Sequence, residues 1–334
     1  MRRTGSRLVT GVLVVLLLAV TACDGEKEAA KPTDVLAVSL GVSKESMSAL
    51  AYVARDEGIF EANGLDVEFT EYESAQLALN ALLAGDVDAA LCADTPIAIE
   101  AVECCPVLIV CTVATDVNDL KVVARRDVGI VTPDDLRGKR VGTRSGTAAH
   151  FFLHGFLIKH GMSDADVDMR FGSFEDVTAA LIAGELDAVA LRQPFIAELQ
   201  SALGDRFLLF EEEGLYEKTM NLCVRPGDSP AAEVKRRLVS SLIDAEKRAV
   251  GDTSGHMREE VAAAIDVTEG DLCSCLFSAG AVTLRQSLIL TLEDQARWAV
   301  QSGVAQSGEM PDFLEMLDTQ TLESIDAERV TVIR

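Results

Sequence analysis

The sequence predicts an α/β protein of two lobes, each a mostly parallel β-sheet flanked by helices. The chain of 334 residues is long enough for two domains. Short apolar segments alternate with helical patterns, which is typical of parallel sheets covered by helices. The segment ALLAGDVDAAL at 81–91 recurs as ALIAGELDAVA at 180–190, so the two lobes are expected to be related.

The N-terminus has the pattern of an exported lipoprotein. A basic stretch and an uncharged apolar run over 8–20 precede VTAC, which predicts a secretory signal over residues 1–22. The apolar run is too short for a spanning helix. VTAC resembles a bacterial lipobox, so Cys23 is expected to carry lipid and residues 23–34 to form a polar tether. The protein would then be anchored to the cell membrane, facing the periplasm or the exterior.

Charge and cysteine content limit the possible partners. The formal net charge is -24, which argues against nucleic acid because its phosphates are bound by basic residues. Export permits disulfides among the eight cysteines, but the sequence does not fix their pairing. No CxxC pair is present, so we expect no metal site.

The elements of the two halves follow the same order. Strands are predicted at 35–42, 66–70 and 88–92, and again at 139–143, 167–171 and 187–191. Helices are predicted at about 47–63 and 147–161, and over AQLALNALLAG and FEDVTAALIAG. Glycines that follow these helices are typical stop signals.

Two crossings of the chain divide it into lobes. Lobe 1 is predicted to contain residues 35–116 and 227–334, and lobe 2 residues 117–226. The segment NLCVRP at 221–226 is expected to return towards lobe 1. Hinges are predicted near 113–120 and 212–228.

The candidate binding site lies where the predicted strands end. In open α/β sheets, ligands bind beyond the carboxyl ends of the strands, and a crevice between lobes is a common location. The ligand-binding candidates are Ser43, Lys44, Glu45, Ser46, Glu73, Ser74, Asp94, Thr95, Arg144, Ser145, Gly146, Thr147, Arg192 and Gln193.

The segment RSGT at 144–147 indicates an anion site. Gly146 permits close approach of the backbone, and Ser145 or Thr147 can cap the following helix. The N–H groups of its first turn and Arg144 would then hold an oxyanion. The alternative is an ordinary cap with a solvated arginine. The neighbouring carboxylates would pair with the cations or bind an amino group of the ligand.

Enzyme motifs are missing from the sequence, which contains no P-loop, HExxH or GxGxxG segment. His150 and His154 lie four apart on one predicted helix, but without a third ligand they are interpreted as packing or solvent-facing residues. We therefore expect a protein without catalysis or cofactor.

Four longer segments resemble one family, the solute-binding proteins of ABC importers for nitrate, sulfonate and taurine. They are SLGVSKESMSALAYVARDEGIFEANGLDVEF, LALNALLAGDVDAALCADTP, DDLRGKRVGTRSGTAAHFFL and MPDFLEMLDTQTLESIDAERVTVI. The resemblance implies a two-lobed, type II periplasmic-binding-protein-like fold that closes on a small solute. It also implies that the protein acts as a monomer and delivers the solute to a permease with its ATPase subunit.

Other functions known for this fold stay open at this point. The first loop lacks the aromatic residue often found there in the family, which leaves the solute undefined. A binder of a thiamin pyrimidine precursor and a lipid-anchored sensor are alternatives. A pyrimidine-synthase-like enzyme is disfavoured, because no lysine is placed convincingly for a Schiff base.

Overall fold

The computed structural model describes Met1 and residues 34–103, 106–227, 230–272, 279–306 and 309–333. The predicted signal peptide beyond Met1, Cys23 and the tether as far as Thr33 lie outside the described residues. Residues 32–334 form one compact unit that contains both lobes. Within the described ranges, no helix has both the length and the apolar character that crossing a membrane requires.

Two five-stranded sheets form the centres of the lobes. The first sheet has the order β2-β1-β3-β10-β4 and the second β7-β6-β8-β5-β9. The strands are β1 Leu36–Ser43, β2 Leu65–Tyr72, β3 Ala89–Ala93, β4 Leu108–Asp116, β5 Lys121–Arg125, β6 Arg140–Thr143, β7 Asp168–Phe171, β8 Ala188–Leu191, β9 Phe207–Phe210 and β10 Lys218–Val224.

Each sheet contains one strand that runs against the other four. Strand β10 is antiparallel to β3 and β4, and β5 is antiparallel to β8 and β9. Both reversed strands begin directly after the chain crosses between lobes. The predicted mostly parallel sheets are therefore mixed sheets, and the first residues of β5 and β10 lie at the edge where the parallel strands end.

Helices cover both sheets. They are α1 Ala49–Asp56, α2 Ile59–Ala62, α3 Ala75–Ala84, α4 Asp94–Glu103, α5 Ala148–Lys159, α6 Phe174–Ala183, α7 Phe195–Leu203, α8 Ala232–Gly251, α9 His256–Ala264, α10 Gln286–Gln301 and α11 Thr319–Glu323. The single helix predicted at about 47–63 is divided into a 3-10 turn, α1 and α2. Gly58 separates α1 from α2 with a φ of 66°, a left-handed conformation that interrupts a helix.

An aspartate in equivalent positions of the two repeats supports their relationship. In the first lobe, Asp88 accepts a hydrogen bond from the backbone N–H of Ser39 at 3.0 Å. In the second lobe, Asp187 accepts one from the backbone N–H of Arg140 at 2.9 Å. Each carboxylate thus ties the segment before the third strand of its lobe to the first strand.

The lobes have separate apolar cores. The C-terminal helices from α8 onward pack into the core of the first lobe. The boundary at 226 differs from the structure, because Lys218–Val224 pairs within the first sheet. The connecting segments between the sheets are 117–120 and 211–217, and both fall within or beside the predicted hinge ranges.

Candidate functional site

A cavity lies between the lobes at the carboxyl ends of the parallel strands. It contains about 420 Å³ of space between the atoms, part of it open to solvent. Residues of both lobes form its wall, and they are Glu45, Ser74, Ala75, Gln76, Ala93, Pro96, Leu120, Arg144, Thr147, Ala148, Ala149, Phe174, Arg192 and Lys218.

The first turns of four helices contribute to this wall. Ala75 begins α3, Pro96 lies in the first turn of α4, Ala148 begins α5 and Phe174 begins α6. The first N–H groups of a helix have no carbonyl partner inside the helix, and its dipole makes that end positive. The cavity wall therefore favours an anion.

The RSGT segment forms the entry to α5, as predicted. Gly146 has a φ of 70°, and Thr147 is the N-cap residue. The Thr147 hydroxyl donates to the carbonyl of Arg144 at 2.8 Å, and it accepts no capping hydrogen bond from the described part of α5. Thr147 and the first two residues of α5 line the cavity, whereas Ser145 is exposed.

Arg144 contributes an uncompensated positive charge. It is half-buried on the cavity wall. Among the described carboxylates, none forms an ion pair with its guanidinium, whereas the other charged residues of the wall are paired with one another. The arrangement differs from the alternative in which Arg144 pairs with carboxylates of the first lobe.

Glu45 is the partner of two other wall cations. Its Oε2 lies 2.9 Å from Nζ of Lys218 and 3.9 Å from Nε of Arg192, and its Oε1 accepts from the Ser43 hydroxyl at 2.9 Å. Burial raises the pKa of Glu45, but Lys218 and Arg192 outweigh that effect and lower it to about 2. Glu45 is therefore ionised at neutral pH.

Lys218 is buried between two carboxylates. Its Nζ donates to Glu45 and, at 2.8 Å, to Oδ2 of Asp119 in the first crossing segment. Burial lowers the pKa of Lys218, but the two carboxylates outweigh burial and hold the pKa above its ordinary value. Lys218 thus stays charged and links the cavity wall to the segment between the lobes.

The other predicted residues of the loop after β1 differ in burial. Ser43 is fully buried, and its hydroxyl also bonds that of Ser48 at 3.0 Å. Lys44 is exposed and lies 3.7 Å from Glu71 and 3.9 Å from Glu73. The structure therefore places Glu45 of this loop on the cavity wall and directs Lys44 to the surface.

The predicted loop after β2 also places one residue on the cavity wall and its neighbour at the surface. Ser74 is the N-cap of α3, where its hydroxyl accepts from the N–H of Leu77 at 3.4 Å, and it lines the cavity. Glu73 is exposed, with 81% of its side chain accessible. The site thus contains Ser74 and excludes the carboxylate beside it.

Asp94 and Thr95 lie behind the wall. Asp94 is fully buried, where it accepts from the hydroxyl of Tyr216 and, at 3.0 Å, from the N–H of Thr219. Burial raises its pKa against the effect of these hydrogen bonds. The Thr95 hydroxyl accepts from Gln295 at 2.9 Å. This network joins α4, α10 and the second crossing segment rather than facing the cavity.

The two predicted residues after β8 line different cavities. Arg192 lines the cavity, and its guanidinium lies 5.8 Å from the ring centre of Phe174. The side-chain oxygen of Gln193 accepts from the N–H of Ala197 at 3.1 Å. Gln193 and Ser46 line a neighbouring cavity instead.

Lys218, Asp119 and Phe174 are not among the predicted site residues. Lys218 begins a reversed strand, so it lies at the same edge as the ends of the parallel strands. Assigning residues up to 226 to the second lobe concealed this position. Phe174 is the first residue of a helix after a strand, a placement that the repeat could have identified by comparison with Ala75.

An aromatic cluster connects the lobes beside the cavity. Trp298 of α10, the single tryptophan of the chain, is buried in the first-lobe core. Its ring centre lies 4.9 Å from that of His150 and 5.4 Å from that of Phe151, both on α5. Burial lowers the pKa of His150 to about 4, so it is neutral at pH 7 and packs as an aromatic ring.

Comparison with known proteins identifies a distant relative and several structures of the same fold. A curated relative, the taurine-binding periplasmic protein of Escherichia coli K12, is 22% identical over 247 residues, which are 71% of this chain and 76% of the relative. The structure of the periplasmic aliphatic sulphonate-binding protein SsuA from Escherichia coli has a TM-score of 0.70 at 17% identity, covering 84% of this chain and 97% of that one.

A nitrate-binding protein has the same fold. The periplasmic protein NrtA from Synechocystis PCC 6803 has a TM-score of 0.64 at 13% identity, covering 89% of this chain and 86% of its own. The family described as NMT1/THI5 like matches residues 46–256, more than half of the chain. The fold and the family resemblance predicted from the sequence are thus confirmed, and the chain belongs to the NMT1/THI5-like family of two-lobed, periplasmic-binding-protein-like proteins.

Proposed function

We propose that this protein is the solute-binding lipoprotein of an ABC uptake transporter. It captures a small solute that carries an oxyanion, such as a sulfonate or nitrate, in the cavity between the lobes. Closure of the lobes buries the solute, and the closed protein delivers it to a permease whose separate ATPase subunit drives import. Lipid on Cys23 keeps the protein at the membrane surface.

Arg144, which pairs with none of the described carboxylates and lies beside four helix N-termini, is the observation that carries this proposal. A guanidinium can donate two parallel hydrogen bonds to a planar or tetrahedral oxyanion. The free N–H groups of the helices add donors that need no side-chain charge. Apolar residues complete the wall, so an organic substituent on the anion would lose contact with water and gain contact with Leu120 or Phe174.

Binding without catalysis is part of the proposal. The three proteins compared above are all named for binding, and their names refer to taurine, sulphonate and nitrate. Each of those solutes carries a small oxyanion group, which supports an oxyanion-bearing solute for this chain. Within the described part of the cavity wall, Lys218 and Glu45 form an ion pair. Because each is occupied by the other, this pairing supports a binding role over nucleophilic chemistry.

A thermal-shift screen of the purified protein tests the proposal against sulfonates, nitrate, amino acids and pyrimidines. A ligand at one hundred times its dissociation constant stabilises the native state by about 2.7 kcal/mol. Emission from Trp298 supplies a second readout, because its neighbours on α5 belong to the other lobe. A protein stabilised only by cations or uncharged sugars would contradict an oxyanion site.

Replacement of Arg144 by alanine identifies the anion contact. The loss of a hydrogen bond to a charged group should weaken binding of the stabilising anion by about 1.5–3 kcal/mol, or about ten- to a hundredfold. Arg137→Ala is the matched control, since Arg137 lies in the same lobe, is half exposed and pairs with Asp166 at 2.7 Å. Equal affinities of the two variants would remove Arg144 from the site.

A further inference from the structure

A buried carboxylate on the wall of a cavity suited to anions requires an explanation. Glu45 is 4% exposed and belongs to that wall. Removing a charge from water is costly unless it is paired, and this carboxylate would also repel an anionic ligand. Its position therefore indicates a role that an uncharged side chain could not fulfil.

The contacts of Glu45 show that its charge is already used. One oxygen accepts from Ser43 at 2.9 Å, and the other accepts from Lys218 at 2.9 Å. The second oxygen also faces Arg192 at 3.9 Å. Lys218 is shared further with Asp119 at 2.8 Å. Glu45, together with Asp119, thus neutralises two cations that would otherwise face the ligand.

This pairing leaves one free positive charge on the described wall. The cations are Arg144, Arg192 and Lys218. Arg192 and Lys218 face the carboxylate of Glu45, and Lys218 also faces that of Asp119, so three positive charges meet two negative ones. Asp94 does not alter the charge balance of the cavity wall. Its carboxylate lies behind the wall, where it accepts from Tyr216 and Thr219. Arg144 therefore has a charge of one available for a ligand.

We propose that Glu45 is an internal counter-ion that restricts the cavity to solutes with one negative charge and an otherwise uncharged body. This inference rests on the proposed function and narrows it. A second negative charge on the ligand would find Lys218 and Arg192 already paired. An ammonium group would find a carboxylate whose oxygens carry hydrogen bonds and whose neighbours are two cations.

The rest of the wall fits an apolar substituent. Leu120, Pro96 and Phe174 face the cavity, and apolar surface stabilises binding in proportion to the area removed from water. A methyl group in this position loses water at no electrostatic cost, whereas a buried ammonium without a free carboxylate is strongly disfavoured. The cavity thus discriminates by charge between solutes of equal shape.

Propanesulfonate and taurine provide a matched pair for the test, because they differ by a methyl group in place of an ammonium. Titration calorimetry of the purified protein should give an affinity for propanesulfonate at least about thirtyfold higher than for taurine. Sulfate, with two charges, should also bind more weakly than propanesulfonate.

The variant Glu45→Gln tests the role of the carboxylate itself. Removing its charge takes from Arg192 its one carboxylate partner among the described residues, while Lys218 keeps Asp119, so the affinity for sulfate relative to propanesulfonate should rise at least about tenfold. Glu68→Gln is the control, because it removes the same charge from an exposed position on β2. That control should leave the ratio unchanged.

Each result either supports or overturns the role of Glu45 as a counter-ion. Taurine binding as tightly as propanesulfonate would overturn the counter-ion role while leaving an oxyanion-binding protein in place. An unchanged sulfate ratio in a folded Glu45→Gln protein would overturn it as well. Absence of binding by sulfonates, sulfate and nitrate alike would overturn the proposed function and this inference together. If the variant does not fold, the comparison of ligands with the unaltered protein still decides.

Discussion

Replacement of Lys218 by methionine should destabilise the protein strongly, because it leaves two buried carboxylates without their shared cation. The side chains of Lys218 and Glu45 are each 5% exposed, and that of Asp119 is 9% exposed. Breaking a buried ion pair by removing one partner typically costs about 3–5 kcal/mol. Methionine keeps a long side chain in place, so the loss of charge dominates the change.

The lowered pKa of Glu45 gives an independent value for the free energy that its cations contribute to stability. Burial acts to raise it, but Lys218 and Arg192 lower it from an ordinary value of 4.5 to about 2. At about 1.4 kcal/mol per pH unit, this difference corresponds to about 3 kcal/mol. Because the folded pKa is depressed, the contribution is present above pH 4.5 and is lost as the pH falls from about 4.5 to about 2.

Thermal unfolding followed by circular dichroism measures the effect. With an unfolding entropy of about 2.1 cal/mol/K per residue over about 300 residues, a loss of 3–5 kcal/mol lowers Tm by about 5–8 °C. The stability of Lys218→Met should also depend less on pH below 4.5 than that of the unaltered protein, because Glu45 no longer has a strongly depressed pKa.

Lys247→Met is the matched control for this prediction. Lys247 pairs with Asp244 at 3.0 Å, but its side chain is 66% exposed, and such surface pairs contribute about 0–1 kcal/mol. The double variant Lys218→Met with Glu45→Gln should recover part of the lost stability, because it removes one of the unpaired charges. Equal Tm values for the two lysine variants, or no recovery in the double variant, would refute the reasoning.

Two further predictions concern packing and the lipid anchor. Gly142→Ala should cost about 1–3 kcal/mol in a urea titration, because its Cβ would overlap Leu186 and lie 3.2 Å from Val189. Gly251→Ala, with nothing within 4 Å, should be neutral or slightly stabilising, and a similar loss in both would contradict the packing argument. Cys23→Ser should abolish incorporation of labelled palmitate by expressing cells and release the protein from membranes, whereas retained label would exclude Cys23 as the lipidated residue.

The sequence allowed the alternating strands and helices to be predicted because each carries a local signal. The apolar segments, the helical periodicity and the glycines after helices depend on nearby residues. The repeat then placed Glu45 and Arg144 at strand ends, and both lie on the cavity wall. Ser74, Thr147 and Arg192 were identified by the same reasoning, and they also line the cavity.

Other parts of the site depend on which way a side chain points. Asp94 follows a strand as Arg144 does, but Tyr216 and Thr219 come from the second crossing segment and the strand after it to bind its carboxylate behind the wall. Lys44 and Glu45 are adjacent, yet one is exposed and the other buried. No local pattern distinguishes these positions, because the partners are distant in sequence.

The sequence by itself determined the α/β class, the two related lobes and the sheet edge at which several cavity-lining residues lie, since short-range periodicity and an internal repeat specify them. The tertiary structure alone decided that Lys218 enters the site from a reversed strand and that Glu45 neutralises it. These residues are 173 positions apart, and they meet only because the chain crosses to the second lobe and returns, so that β10 pairs within the first sheet.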